Sequence, residues 1–369
     1  MSKKTHFKYK YGEIRYPVFF PDATRALVKS LDSDDIRATR TTGILVNTFH
    51  LWHVLDKSVL EAFGGIREYM GWRGAVISDS GGFQVMSVVK KGVNSGKITD
   101  EGVVFHPSRN RKVVFTPEES VRLQMSLGTD MVVVLDDFTD PKDDYDQALV
   151  TVNRTLQWAQ RSKNEFQKIC QEKGLTDKKR PYLLGVTQGG EFMDLRESCT
   201  KDLVKIGFDG LGWGGWPFVD GKINFKSAEV ISHNVPKDYL LYGLGIGKPE
   251  DIINCFKLGF NIFDCVLPTR DGRHGRLYVY DALTIDEIDV TRDSFYHFFN
   301  TKKNSNIADT SKISTACDCS LCLNYSVGYL VHLFKLGDPI AGRLASIHNL
   351  RFFSILMEKL QTATFSDLS

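Results

Sequence analysis

Short apolar runs alternate along this chain with longer segments that carry apolar residues at helical spacing. The runs cover residues 17–20, 43–46, 75–78, 131–135, 182–186, 210–214, 239–243 and 261–263. Charged residues are absent from these runs, which is typical of strands that are covered on both faces, as in a parallel sheet. The pattern therefore predicts eight buried parallel strands.

Helices are predicted after nearly every run. The candidate segments lie near 57–70, 117–128, 146–173, 191–206, 224–234 and 249–259. Pro117 and Pro249, each followed by acidic residues, are typical of first helical turns. Strands that each precede a helix favour a (β/α)8 barrel, with an open doubly wound sheet as the alternative. The stretch 81–114 is too long and polar for a plain connection, so we expect an inserted loop region after the third strand.

Composition restricts the class of protein. The chain has 369 residues, a formal net charge of +2 and no run of eighteen apolar residues, and its lysine-rich start lacks an apolar signal core. We expect a soluble cytoplasmic protein with no membrane association. We also expect the barrel to cover 1–283 and a smaller C-terminal unit to cover 284–369. The weak net charge means that a nucleic-acid partner would need a local basic patch.

Polar residues and glycines recur where the predicted strands end. The strand ends carry Asn47, Asp79, Asp136, Gln188, Gly215, Leu244 and Asp264 in or directly after the second to eighth runs. Because the carboxyl ends of barrel strands converge, we expect these residues to surround one pocket.

Two of these carboxylates suit displacement at a glycosidic carbon. Asp79 and Asp264 could divide the work, one attacking the anomeric carbon and the other moving protons on the leaving and arriving base. Asp136 could accept hydrogen bonds from a guanine-like base, and Phe83 offers a ring for stacking. A lone aspartate after a strand more often caps a turn, so the prediction depends on the whole set.

A basic turn follows Asp264. It contains Arg270, Arg273, His274 and Arg276, and a site of this kind suits an anionic, multiply hydroxylated substrate. Lys335 and Arg343, further along, are additional candidates for phosphate contacts. Isolated surface charges are commonly just solvated, which is the ordinary alternative.

The C-terminal part carries metal-ligand spacing. Cys317, Cys319 and Cys322 supply three thiolates, and His348 or the nearer His332 could supply a fourth ligand. Four protein ligands leave no coordination position for water, so the spacing predicts one structural zinc without a catalytic role.

Taken together, the motifs resemble the tRNA-guanine transglycosylases, or queuine tRNA-ribosyltransferases, from about Tyr16 to Phe353. The matching stretches are 47–51, Ser78-Asp-Ser-Gly-Gly-Phe-Gln84, 135–137, 188–189, 214–215, 247–249, Phe263-Asp-Cys-Val-Leu-Pro-Thr-Arg270, the cysteine cluster and 348–350.

The resemblance implies a zinc-containing (β/α)8 enzyme of queuosine modification. Such an enzyme exchanges the wobble guanine of GUN-anticodon tRNAs for a 7-deazaguanine, contacts the anticodon loop and acts as a homodimer. It implies Asp264 as nucleophile, Asp79 as general acid/base and Asn47 behind the nucleophile. The implied base-binding residues are Asp136, Gln188, Gly215, Leu244 and Phe83. The family also has His348, and not His332, as the fourth zinc ligand.

Several positions depart from the family pattern. Trp216-Pro-Phe218 replaces the usual small aliphatic segment beside the 7-substituent of the base, and Leu244 stands where a methionine is usual. The sequence therefore leaves both 7-aminomethyl-7-deazaguanine and queuine open as the incoming base. Two other functions remain as alternatives: a catalytically silent tRNA-binding partner subunit, and a related transglycosylase that acts on DNA.

Overall fold

The computed structural model describes residues 5–55, 57–82, 96–108, 111–219, 221–303 and 306–363. Its strands, in chain order, are β1 His6–Tyr9, β2 Gly12–Arg15, β3 Val18–Pro21, β4 Gly43–Asn47, β5 Ala75–Asp79, β6 Lys97–Thr99, β7 Gly102–Ser108, β8 Arg111–Phe115, β9 Met131–Val133, β10 Tyr182–Thr187, β11 Gly210–Trp213, β12 Phe218–Val219, β13 Lys222–Ile223, β14 Leu240–Gly243, β15 Ile262–Cys265, β16 Arg276–Tyr280 and β17 Tyr296–Asn300.

Eight parallel strands form the central sheet. Their order is β3-β15-β14-β11-β10-β9-β5-β4, so from β4 onward each barrel strand pairs with the next barrel strand along the chain, and β15 pairs with β3. A parallel bridge between Asp22 and Leu45 brings β3 and β4 together and nearly closes the ring. All eight predicted strands are confirmed, and the near-closure excludes the open doubly wound sheet.

Helices surround the barrel. They are α1 Ser33–Ala38, α2 Thr48–Val54, α3 Lys57–Phe63, α4 Ile66–Met70, α5 Pro117–Leu127, α6 Tyr145–Glu172, α7 Met193–Ile206, α8 Phe225–His233, α9 Pro249–Lys257, α10 Leu267–Arg273, α11 Ser320–Asn324, α12 Val327–Leu336 and α13 Pro339–Thr362. The helix predicted near 57–70 is two helices, because Gly64 and Gly65 adopt φ values of 78° and 121° that a right-handed helix does not allow. Within the described residues, no helix is long and apolar enough to cross a membrane.

The barrel interior is a packed apolar core. Phe20, Ile77 and Leu184 lie in it with side chains from the other strands. The N-terminal hairpin of β1 and β2 adds Phe7, which is fully buried and whose ring centroid lies 5.6 Å from that of Phe20. The interior is therefore filled, and functional groups must lie at an end of the strands.

The insertion after the third barrel strand is more ordered than a loop. Strands β6, β7 and β8 form an antiparallel sheet there, before α5 begins. The indole Nε1 of Trp158, on α6, donates a 2.8 Å hydrogen bond to the carbonyl oxygen of Asp100 at the β6–β7 turn. The position of the insertion is as predicted, whereas its strand content was not foreseen.

The C-terminal unit packs tightly on the barrel. Strand β16 pairs with β17, so hydrogen bonds cross the predicted boundary at residue 283. Helix α13 lies against the outside of β3, where the ring centroids of Phe353 and Phe19 are 4.7 Å apart. The division into 1–283 and 284–369 remains a prediction.

Candidate active site and metal centre

Asp264 occupies the C-terminal part of the last barrel strand. Its side chain is buried, and Oδ1 accepts hydrogen bonds from the Tyr242 hydroxyl at 2.7 Å and from the Gly245 backbone N–H at 2.9 Å. Burial raises the pKa of Asp264 to about 6, and the two donors oppose that rise because they stabilise the carboxylate. One oxygen is thus held in place, while Oδ2 makes no hydrogen bond within the described chain.

Asp79 ends the third barrel strand. Both of its carboxylate oxygens accept from the Asn47 amide, at 2.8 and 2.9 Å, and Oδ1 also accepts from the Gly81 N–H at 2.9 Å. The register of the sheet pairs Asn47 directly with Asp79, and the Asn47 amide positions that carboxylate. The expected place of Asn47 behind Asp264 stays a prediction.

The two carboxyl groups are electrostatically linked. Burial is the largest cause that raises the pKa of Asp79 to about 7, and the charges of Asp264 and Asp22 raise it further. Asp22 follows β3, and its Oδ1 accepts a 2.9 Å hydrogen bond from the Thr24 N–H. An ionised Asp264 thus favours a protonated Asp79. These are the protonation states that an attacking carboxylate and a proton donor need.

Asp136 and Gln188 form a polar edge beside these groups. The Gln188 amide Nε2 donates to Asp136 Oδ2 at 2.5 Å, and its Oε1 accepts from the Thr139 N–H at 3.0 Å. Burial raises the pKa of Asp136 to about 7, with a further contribution from Asp137. Asp137 itself is buried and paired with Arg154, so only the first of the two adjacent aspartates belongs to this edge.

Gly215 lies against this edge in a backbone conformation that disfavours a side chain. A Cβ atom there would lie 3.3 Å from Gln188 Oε1 and 3.3 Å from Arg196 Nη2, at a φ of 80°. The buried Arg196 guanidinium donates to the carbonyl oxygens of Gly214 and Gly190, at 3.1 and 3.0 Å. Arg196 forms no ion pair within the described chain, and burial lowers its pKa to about 10. It thus ties the ends of β10 and β11 together.

Leu244 and Phe83 are the remaining predicted base-binding residues. Leu244 is half-buried and its side chain lies over Gly212, where a Cβ atom would come within 3.0 Å of Leu244 Cδ1. Phe83 lies outside the described residues. Its predicted stacking role stays a prediction.

The basic turn divides into two kinds of residue. Arg270 and His274 are exposed, and the half-buried Arg273 has a buried Nη1 atom without a hydrogen-bond partner in the described chain. Arg276, in contrast, donates to Asp271 at 2.6 Å and lies over the Phe298 ring. The predicted patch therefore has three residues with unused donor capacity, and Arg276 is engaged within the protein.

Of the two additional phosphate candidates, Arg343 is also engaged. Its guanidinium makes two hydrogen bonds to the buried Asp35 carboxylate, at 2.7 and 2.5 Å. Lys335 is exposed near the end of α12. Arg343 therefore joins α13 to α1, and the prediction for it is weakened because its charge is already compensated.

The cysteine cluster is assembled as a metal site. The ligand atoms of Cys317, Cys319, Cys322 and His348 all lie within 4.8 Å of one another, and all four residues are buried. His348 Nδ1 lies 3.2 Å from Cys322 Sγ and 3.6 Å from Cys319 Sγ. Tetrahedral zinc with Zn–S of about 2.3 Å and Zn–N of about 2.0 Å would separate such atoms by about 3.5 Å. The group can hold one metal ion, and the exposed His332 is not part of it.

A backbone contact fixes the histidine for this task. His348 Nε2 lies 2.8 Å from the carbonyl oxygen of Tyr278, an acceptor only, so Nε2 carries the proton and Nδ1 is free to bind metal. This contact joins the metal site to β16, and hence to the hairpin that follows the basic turn.

Comparisons with known proteins show the family of this chain. The family model described as queuine tRNA-ribosyltransferase matches residues 3–367. The chain belongs to the queuine tRNA-ribosyltransferase family. A protein named queuine tRNA-ribosyltransferase from Baumannia cicadellinicola subsp. Homalodisca coagulata is 34% identical over 366 residues, which cover 98% of this chain and 91% of the relative. One of the same name from Shewanella sp. (strain W3-18-1) is 36% identical over 354 residues, 95% of this chain and 87% of the relative.

Three residues that interact with this site were not predicted from the sequence: Tyr242, Asp22 and Arg196. Tyr242 lies inside an apolar run and looked like core, although a phenol in a buried strand needs a hydrogen-bond partner and could have signalled one. Asp22 lacks a distinctive motif, and Arg196 lies in an ordinary amphipathic helix. Only the closure of the barrel brings these residues to the ends of neighbouring strands.

Proposed function

We propose that this protein exchanges the guanine at the wobble position of GUN-anticodon tRNAs for a 7-deazaguanine, in the cytoplasm. The observation that carries the proposal is the linked pair Asp79 and Asp264, two desolvated carboxyl groups with raised pKa values at the same end of the barrel. Membership of the queuine tRNA-ribosyltransferase family also supports tRNA as the polymer and a 7-deazaguanine as the incoming base.

The reaction would proceed by double displacement. Asp264 Oδ2 attacks C1′ of the ribose while the C1′–N9 bond breaks, and Asp79 gives its proton to the departing guanine. The incoming base then returns a proton to Asp79 as its N9 attacks C1′ and releases the Asp264 ester. Each group ends in its starting protonation state, and no outside reductant or oxidant is needed.

The polar edge would select guanine-like bases. Asp136 would accept from the ring N–H and the exocyclic amine. The Gln188 Nε2, which donates one N–H to Asp136, would donate its other N–H to the carbonyl oxygen of the base. Because the edge is buried, a base that leaves these groups unpaired would be disfavoured strongly. The choice between 7-aminomethyl-7-deazaguanine and queuine is not fixed by this edge.

The tRNA would be held beside the nucleophile by Arg270, Arg273 and His274. Arg273 is the strongest of these candidates because its buried Nη1 has no partner in the described chain. A structural zinc bound by Cys317, Cys319, Cys322 and His348 would hold the fold of the C-terminal unit and take no part in the reaction.

The C-terminal unit would also supply a homodimer interface. Tyr325 and Tyr329 stack at 5.3 Å between ring centroids and are 39% and 43% exposed, and Leu323 on α11 and Leu336 at the end of α12 are 58% and 66% exposed. An apolar surface of this kind suits a self-complementary two-fold contact. Light scattering should give twice the chain mass for the wild type and for Val150→Glu, an exposed control on α6, but a smaller mass for Leu336→Glu.

The decisive experiment is base exchange with labelled guanine. Purified protein should incorporate the label into unmodified tRNA with a GUN anticodon and not into duplex DNA. Label in DNA alone would favour the related DNA-modifying activity. Tight tRNA binding without any exchange would favour the silent partner subunit.

A second experiment addresses the covalent step. When the wild type is mixed with tRNA without an incoming base and then denatured, a protein–RNA adduct should remain. Asp264→Asn should bind tRNA but form no adduct. Asp79→Asn, which retains Asp264, should lose exchange as well, because the leaving guanine lacks its proton donor. An adduct that survives in Asp264→Asn would show that another residue is the nucleophile.

A further inference from the structure

Trp216 is exposed although it adjoins the polar edge of the site. Its side chain is 51% exposed, whereas Trp72, Trp158 and Trp213 are at most 2% exposed. A large aromatic ring that faces water loses the benefit of burial, so its exposure at a site suggests a contact with a ligand. The proposed exchange, as derived above, leaves this ring without a role.

A short hairpin holds the ring in place. Strands β12 and β13 pair Phe218 with Ile223, and the buried Pro217 accepts a 2.8 Å hydrogen bond from the Asn224 N–H through its carbonyl oxygen. The Trp216 and Phe218 rings meet edge to face, with 6.1 Å between centroids. This contact restrains the Trp216 ring, so a ligand that covers the ring removes less conformational freedom from it.

The position of the hairpin relates it to the reacting base. Trp216 directly follows Gly215, so the two Cα atoms are about 3.8 Å apart. Two lysines lie near the hairpin: Lys248 Nζ lies 6.0 Å from the Phe218 ring centroid, and Lys222 on β13 is exposed. The rim of the site therefore combines an open aromatic face with positive charge.

This combination is suited to single-stranded nucleic acid. An extruded base loses its stacking contacts, and the bases that flanked it lose one each. Exposed aromatic rings beside cations accept such bases, because every base has a face that can stack and the phosphates are attracted to the charge. The exposure of Trp216 favours a base on the RNA over the exchanged base, which would sit among the buried groups of the polar edge.

We propose that Trp216, supported by Phe218 and Lys248, stacks on the unpaired RNA base that adjoins the extruded guanine. This inference rests on the proposed function. It adds a binding contact for the RNA that Trp216 provides in place of the aliphatic residue usual in the family.

The test compares Michaelis constants for the two substrates. In Trp216→Ala, KM for a stem–loop RNA with a GUN anticodon should rise about tenfold, the loss expected for one base–aromatic stack, while KM for guanine stays unchanged. Trp216→Phe should recover most of the loss. Phe63→Ala is the matched control, since Phe63 is 52% exposed and lies on α3, away from the strand ends that carry the carboxylates. A rise in KM for guanine alone would assign the ring to the base pocket and overturn the proposal.

Abasic RNAs identify the stacked base. Stem–loops that lack the base on the 5′ or the 3′ side of the reacting guanine are compared in wild type and Trp216→Ala. With one of the two abasic RNAs, the KM of the wild type should rise by about the same factor as Trp216→Ala raises KM with the intact RNA. With that abasic RNA, Trp216→Ala should raise KM no further. Equal additional losses with both abasic RNAs would contradict the stack.

A binding measurement separates this proposal from the proposed function. The difference in tryptophan fluorescence between wild type and Trp216→Phe isolates the signal of Trp216, which should be quenched by the intact stem–loop even without turnover. Quenching without exchange would retain the stack and refute the enzyme activity. Exchange without quenching, together with an unchanged KM in Trp216→Ala, would refute the stack alone.

Discussion

The Tyr242 hydroxyl donates a 2.7 Å hydrogen bond to Asp264 Oδ1 from the neighbouring strand of the barrel. Burial raises the pKa of Tyr242 well above its usual value, so the phenol stays protonated and remains a donor. The bond fixes one carboxylate oxygen and, with the Gly245 N–H, limits the rise in the pKa of Asp264 that burial causes. Tyr242 is therefore a positioning residue for the proposed nucleophile.

We expect a bell-shaped dependence of kcat/KM on pH for the wild type. Asp264 attacks only when ionised, so activity should rise with pH through about 6. Asp79 must deliver a proton, so activity should fall as pH rises through about 7. Because the two groups interact, the apparent pKa values of the two limbs are properties of the pair. A profile that stays flat from pH 5 to 9 would contradict the assignment.

Tyr242→Phe should shift the acid limb. Loss of a donor to the charged form raises the pKa of Asp264, so the limb moves to higher pH by about one unit, and kcat falls by about tenfold. The control is Tyr280→Phe, which removes a buried 2.9 Å hydrogen bond to the Phe352 carbonyl oxygen away from the site. That variant should lose stability and keep the wild-type limbs.

Asn47→Asp should shift the alkaline limb. The new carboxylate keeps the acceptor that caps α2 through the His50 N–H but replaces two donors to Asp79 with a negative charge. Both changes raise the pKa of Asp79, so activity should persist about one unit further into the alkaline range. An alkaline limb that does not move would show that Asp79 is not the group that titrates there.

Asp136→Asn should weaken base recognition. The amide offers fewer acceptors to the donors of guanine, so kcat/KM for guanine should fall by about 100-fold or more. Asp137→Asn is a matched control because Asp137 is paired with Arg154. It should lower the melting temperature and leave KM for guanine close to the wild-type value.

Cys319→Ser should release the metal. Since binding energy at such a site is part of the folding energy, the purified variant should hold less than about half an equivalent of zinc and melt earlier. Cys255→Ser changes a buried thiol outside the cluster and should retain one zinc per chain. Equal metal content in both variants would mean that Cys319 is not a ligand.

The sequence alone determined the elements and the candidate chemistry. Apolar runs without charge and helix-start residues are local signals, and they located all eight barrel strands within about two residues. Asp79, Asp136, Gln188 and Asp264 were predicted as site residues because they lie at or shortly after strand ends, and strand ends converge in a barrel. The cysteine spacing similarly predicted the metal site, because ligands two and three residues apart can reach a common ion.

Tertiary structure decided the partners of these residues. Sheet register, and not sequence spacing, places Asn47 on Asp79 and Tyr242 on Asp264. Packing of α13 against β16 buries His348, whereas His332 faces outward. Arg276 looked like a phosphate ligand and is engaged by Asp271. The hydrogen-bond partner of a residue depends on groups that are distant in the chain and on which of these groups are buried together. No local pattern in the sequence encodes these two conditions.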